Sequence, residues 1–170
     1  MPISYEIING RLIVDTNNTN LSEKIEGTSV FSQVCDEISK LQAERGIAHV
    51  NLYAEKAGLD KDTISSIFRI RHFGILSLSG NALSRDTVST ICRGCTFNTF
   101  IYTDSGTFDL DFCRQLSTLG HMQHRLLIVC VVKDPTFIRP LAEAELTISD
   151  CQASVVYVSG ENNKICAFKN

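Results

Sequence analysis

No stretch of the 170-residue chain is apolar for long enough to cross a bilayer. The longest apolar run, Leu126 to Val132, falls far short of the roughly 20 residues a membrane helix needs. The opening residues, MPISYEIINGRL, lack the basic and then apolar layout of a secretion signal, so a soluble cytoplasmic protein with no membrane partner is expected. An overall basic charge is also missing: the net charge is −3, which excludes a protein coated in positive surface but not one with a local basic patch. Residues 1–39 carry 2 basic and 6 acidic side chains, residues 40–96 carry 8 and 5, and residues 97–170 carry 6 and 8. Only the middle segment is built to meet a polyanion.

Paired cysteines are missing as well. The seven cysteines are odd in number and scattered beside apolar neighbours, which fits reduced core residues better than disulfides. Cys92 and Cys95 have metal-ligand spacing, but no second close pair accompanies them, so neither a metal nor a cofactor is expected. His121 and His124 have no clearly paired cysteine or carboxylate. The segment Asp104-Ser105-Gly106 is not followed by a phosphate-binding fingerprint, and Asp109 with Asp111 suits a helix start. No catalytic group emerges, and the chain is not read as an enzyme.

What is present is a composition that is 44% hydrophobic and 21% charged, enough for one ordinary domain or two small ones. Residues 3–15 place two β-rich runs around Asn9-Gly10, which predicts a tight hairpin. Residues 16–27 read as a linker. A helix is predicted from Ser29 to Gly46, with Val30, Val34, Ile38 and Leu41 at helical spacing. Three more are predicted over about 48–57, ending at Gly58; over 61–70, capped by Asp60; and over 85–94, capped by Ser84. HFGILSLSGNAL between the last two reads as a loop or a short strand pair. Strands are predicted at 97–103, 126–132, 153–159 and 164–169, with helices at 108–119 and 135–146. The fold class is therefore α+β: an N-terminal β-hairpin and linker (1–28), a helical unit (29–96) and a C-terminal α/β domain (97–170) of β-α-β-α-β-β order.

The string LDKDTISSIFR (59–69) returns 24 positions later as LSRDTVSTICR (83–93). Only the first copy is preceded by AEKAG. Ala54 is small enough for two helices to cross, Gly58 suits a tight left-handed turn, and Leu59, Ile64 and Ile67 give a buried side. Across residues 29–96 this pattern resembles the lambda-repressor-like, or Xre-type, helix-turn-helix family. The resemblance implies that the 61–69 helix enters the DNA major groove. Lys61, Asp62 and Ser66 would face bases, Thr63, Arg69 and Arg71 would lie near phosphates, and Arg85 would touch a phosphate from the second copy, read as a supporting helix. The expected function is a sequence-specific transcriptional regulator. It would bind double-stranded DNA as a homodimer on an inverted repeat, with the C-terminal domain dimerising or sensing a small-molecule or protein effector. Two alternatives stand beside it: a protein-interaction module, such as an antitoxin or adaptor, that does not bind DNA, and a small enzyme with its site in the C-terminal domain.

Overall fold

The computed structural model describes residues 3–70, 72–103, 111–112, 115, 126–131, 154–159 and 164–169. The chain is mixed α and β. The hairpin forms from β1 (Ser4–Ile8) and β2 (Arg11–Asp15). Asn9 and Gly10 have φ of 53° and 76°, so both central residues are left-handed, as a type I′ turn requires. The 16–27 segment is mostly irregular but contributes β3 (Lys24–Ile25) to a small ribbon with β4 (Thr28–Ser29).

Helix α1 (Val30–Arg45) starts and stops where its caps dictate. The Ser29 side chain accepts from the Ser32 N–H, and Gly46 ends the helix in the left-handed conformation, so unpaired groups at both ends are satisfied. Helix α3 (Arg85–Gly94) likewise has Ser84 as its cap, accepting from the Thr87 N–H at 3.2 Å.

The helix expected over 48–57 is not there. His49–Tyr53 is a strand, β5, paired in parallel with β2 on one side and with β6 (Phe73–Ser77) on the other. Val50, Leu52 and Ala54 all belong to the hydrophobic core, and their spacing of two is that of a strand. Helix α2 is shorter than expected, Lys61–Ile64, and continues as a 3-10 turn over Ser65–Arg69. The HFGILS stretch is neither a loop nor a strand pair but the single strand β6. A helix-turn-helix needs a helix before its turn, and here the chain enters that turn from a sheet.

One eight-stranded sheet takes strands from the hairpin, from the 29–96 segment expected to be helical and from the C-terminal segment. Its order is β1-β2-β5-β6-β7-β8-β9-β10, with β7 (Phe97–Thr103), β8 (Leu126–Val131), β9 (Ser154–Ser159) and β10 (Lys164–Lys169). From β2 to β9 every pairing is parallel and follows chain order, whereas β1 and β10 are antiparallel at the two edges. The strand boundaries of the C-terminal β-α-β-α-β-β reading agree within a residue, while its helices over 108–119 and 135–146 lie largely or wholly outside the described residues.

Strands β5, β6 and β7 begin at 49, 73 and 97, so the 24-residue spacing of the twin strings is the advance from one strand to the next. The crossovers carry α1, the Lys61–Arg69 segment and α3 to the same face. Phe31, Cys35 and Ile38 of α1, Ile64 of α2, Ile67 of the 3-10 turn, and Val88 and Ile91 of α3 accordingly join one core with Leu12, Leu52, Leu76 and Phe100. Phe100 stacks on Tyr102 and tilts against Phe97, with centroids 6.5 and 5.5 Å apart.

Candidate binding face and the network that locks the coils

The described residues expected to read DNA differ in exposure and in the contacts they make. Lys61 and Asp62 are exposed, but Thr63 and Ser66 are buried, because only four residues of α-helix precede the 3-10 turn and these positions roll toward the core. Arg69 is tied down: it pairs with Asp36 and its Nη2 donates to Ser32 Oγ at 2.8 Å, clasping α1 to the next coil. Arg85 lies over the Phe112 ring, 5.1 Å from its centroid, a cation–π contact. Arg71 lies outside the described residues, as do Asp104, Asp109, His121 and His124. Among the described residues no group of three or more His, Cys, Asp or Glu side chains could hold a metal, and no helix is long and apolar enough to cross a membrane.

Asn81, which carried no weight in the sequence reading, makes four side-chain hydrogen bonds. Its Oδ1 accepts from the backbone N–H groups of Ala57 (3.0 Å) and Leu59 (3.1 Å), while its Nδ2 donates to the carbonyls of Ala54 (2.8 Å) and Leu78 (2.7 Å). Every donor and acceptor of a side chain only 7% exposed has a partner on this coil or the one before, so the two turns are held in register. One coil later, the Tyr102 hydroxyl accepts from the Leu83 N–H at 2.7 Å. Main-chain bonds extend the ladder past the strands, from the Ala54 N–H to the Ser77 carbonyl and from the Lys56 N–H to the Ser79 carbonyl, both 2.9 Å.

Helix α2 also has a local lock. Asp60 accepts from the Thr63 N–H at 2.8 Å, and that backbone hydrogen bond holds its carboxyl below the ordinary carboxylate range. A depressed native value stabilises the fold above the unfolded pKa of about 4 and is lost as pH falls through the native value. We expect Asp60→Ala and Ser84→Ala each to cost about 1 kcal/mol in chemical denaturation at neutral pH. The Asp60 contribution should fade in acid and the Ser84 contribution should not.

The sheet face away from the helices grades from open to closed. On β1, Ser4, Glu6 and Ile8 are exposed; on β2, Arg11, Ile13 and Asp15 are half-buried; the residues that follow in the same rows, Asn51, Tyr53, Ile75, Ser77, Thr99 and Ile101, are buried. Two polar links cross the strands. Arg11 donates to Asn51 Oδ1 (3.2 Å), which also accepts from the Ile75 N–H (3.0 Å) beside the register shift between β5 and β6. Ser77 donates to the buried Glu55 carboxylate at 2.8 Å. A Cβ at Gly74 would collide with Arg11 Nη1 and Asn51 Oδ1. Gly74→Val should therefore cost roughly 1–3 kcal/mol, read as a lower denaturation midpoint with unchanged slope.

The thiols Cys35, Cys92 and Cys95 are buried. Burial pushes Cys35 and Cys95 up to about 12 and raises Cys92 as well, so none offers a reactive thiolate. At about pH 8, iodoacetamide should leave all three unmodified in the native protein and label them on unfolding, which mass spectrometry of the digested peptides reads directly.

No protein-family model matches this chain, and neither a curated protein nor a solved structure does.

Proposed function

We propose that the protein is a protein-interaction module built as a solenoid of the leucine-rich-repeat type. The observation that carries this reading is the Asn81 lock between successive 24-residue coils of a parallel, chain-ordered sheet. Phe73-x-x-Leu76-x-Leu78-x-x-Asn81-x-Leu83 has the repeat's spacing of apolar positions and its buried asparagine, with Phe in the first apolar place. One period earlier the frame reads His49-x-x-Leu52-x-Ala54-x-x-Ala57-x-Leu59, and one later Phe97-x-x-Phe100-x-Tyr102. Antiparallel strands flank the parallel stack at both ends.

Stacked coils that pack their helices on one side, as α1, α2 and α3 do here, present their strands on the other, the surface such proteins use for partners. Among the described residues the accessible part is the N-terminal end of that face, where Glu6, Ile8, Arg11, Ile13 and Asp15 mix apolar bodies with both signs of charge. Three features weigh against DNA reading: the segment expected as the bracing helix is a strand, Thr63 and Ser66 are buried, and the exposed Arg69 is paired with Asp36 and Ser32.

Two assays separate these functions. Under the interaction reading, genomic DNA fragments show no sequence-specific binding at low or moderate salt. A protein captured from lysate is lost with Ile8→Lys, an exposed position on that face, whose circular dichroism and melting match wild type. Sequence-specific DNA binding that falls steeply with salt and is lost in Lys61→Ala would overturn it.

A further inference from the structure

The hairpin leaves one edge of the sheet uncovered. Strand β1 has β2 on one side only. In a two-residue hairpin the residues flanking the turn exchange both hydrogen bonds, and such pairs alternate along the strands. Ile8 pairs with Arg11, Glu6 with Ile13 and Ser4 with Asp15, so these three positions of β1 point their backbone groups inward. Tyr5 and Ile7 point theirs outward. Unpaired edge groups are a template for another strand. The side chains beside them are apolar: Ile3 and Tyr5 are partly buried against the core, and Ile7, on the same face, is 45% exposed. No inward-pointing charge, bulge or covering helix among the described residues protects this edge.

We propose that β1 pairs antiparallel with β1 of a second copy, in a two-fold dimer centred on Tyr5. The occupant follows from the strand's own sequence, ISYEII, laid against itself. With Tyr5 opposite Tyr5, Ile3 meets Ile7 of the second copy and Ser4 meets Glu6. The apolar face of one strand then continues into that of the other, the exposed Ile7 is covered, and a hydroxyl faces each carboxylate. Centring on Glu6 instead would set two carboxylates directly opposite, which is destabilising. Centring on Ile7 would bring Tyr5 against Asn9, whose left-handed backbone at φ 53° ends strand geometry. Only the Tyr5 register uses every outward backbone group of residues 3–7 without a like-charge contact. The join uses the edge of β1 and not the strand face, so it is independent of partner binding by that face.

Sedimentation velocity across a dilution series tests this on the full chain. Wild type should shift from monomer to dimer with concentration. Ile7→Pro deletes only an outward N–H and Ile7→Lys places a charge on the covered face; each should weaken association about tenfold or more, with melting unchanged. If Ile7→Pro alters melting, Ile7→Lys and cross-linking decide. Ser4→Cys mixed with Glu6→Cys should give an interchain disulfide under mild oxidation, because these positions lie opposite in a close non-hydrogen-bonded pair. Glu6→Cys alone should give none above the background that wild type sets for the native cysteines. A monomer at all concentrations up to about 100 µM, a dimer insensitive to Ile7→Lys, or Glu6→Cys cross-linking to itself as readily as the mixture would overturn the proposal.

Discussion

Asn81→Ala should lower the free energy of unfolding by about 3–5 kcal/mol. The substitution removes four hydrogen bonds at once and strands the Ala57 and Leu59 N–H groups and the Ala54 and Leu78 carbonyls. A buried polar group left without a partner costs roughly 1–3 kcal/mol, though neighbouring losses do not simply add. For a chain of this length the melting temperature should fall by on the order of 10 °C. Because Asn81 Oδ1 accepts from the Ala57 and Leu59 N–H groups, amide exchange should accelerate together at these two residues. A cost near that of a surface asparagine, a few tenths of a kcal/mol, would mean that the lock is not formed in solution.

The second large effect concerns the twin strings. Ile67 and Ile91 occupy the same place in successive coils, 24 residues apart, and are 0% and 1% exposed. Ile67→Ala and Ile91→Ala should each cost about 2–5 kcal/mol, the lost transfer energy plus the cavity, and their denaturation midpoints should fall by similar amounts. Their neighbours separate the roles further. Lys61→Ala, exposed and outside every described hydrogen bond and ion pair, should change stability by less than about 0.5 kcal/mol. Arg69→Ala should cost about 1 kcal/mol, since the partly exposed pair with Asp36 is screened and the bond to Ser32 is the firmer contact. A DNA reader would show a different ordering, with Lys61→Ala and Arg69→Ala silent in stability and strong in DNA affinity.

Local signals in the sequence were readable where the structure is locally determined. The hairpin follows from Asn-Gly, α1 from Ser29 and Gly46, and α3 from Ser84, because caps and turns act over three or four residues. Residues 48–58 were ambiguous for a physical reason. Val50, Ala54 and Ala57 are all buried, and their spacing of four and three is that of a helix face, while Val50, Leu52 and Ala54 have the spacing of a strand. Gly58 suits the left-handed turn of either arrangement, and its φ is 66° here. What decides between them is non-local: β2 on one side, β6 on the other, and Asn81 reaching back 22 to 27 residues.

The signal that resolves the ambiguity was in the chain but spread over a longer range than a helix-turn-helix. HVNLY, FGILS and FNTFI begin 24 residues apart, so the repeat includes the strands as well as the twin helical strings. Leu-Ser-Leu-Ser-Gly-Asn-Ala-Leu then explains Asn81, a buried polar residue that neither helix periodicity nor strand alternation identifies as special. The placement of the proposed binding face depends on the same frame: once Val50 and Leu52 point at the helices, Asn51 and Tyr53 must point to the other side.

Backbone chemical shifts across residues 48–58 test most directly whether the chain coils through a strand at this point. Extended values over His49–Tyr53, with slowly exchanging amides and close contacts between Leu52 and Leu76, are the expected result. Helical shifts running through 48–57, with contacts between residues three and four apart, would contradict the solenoid and restore the helix-turn-helix.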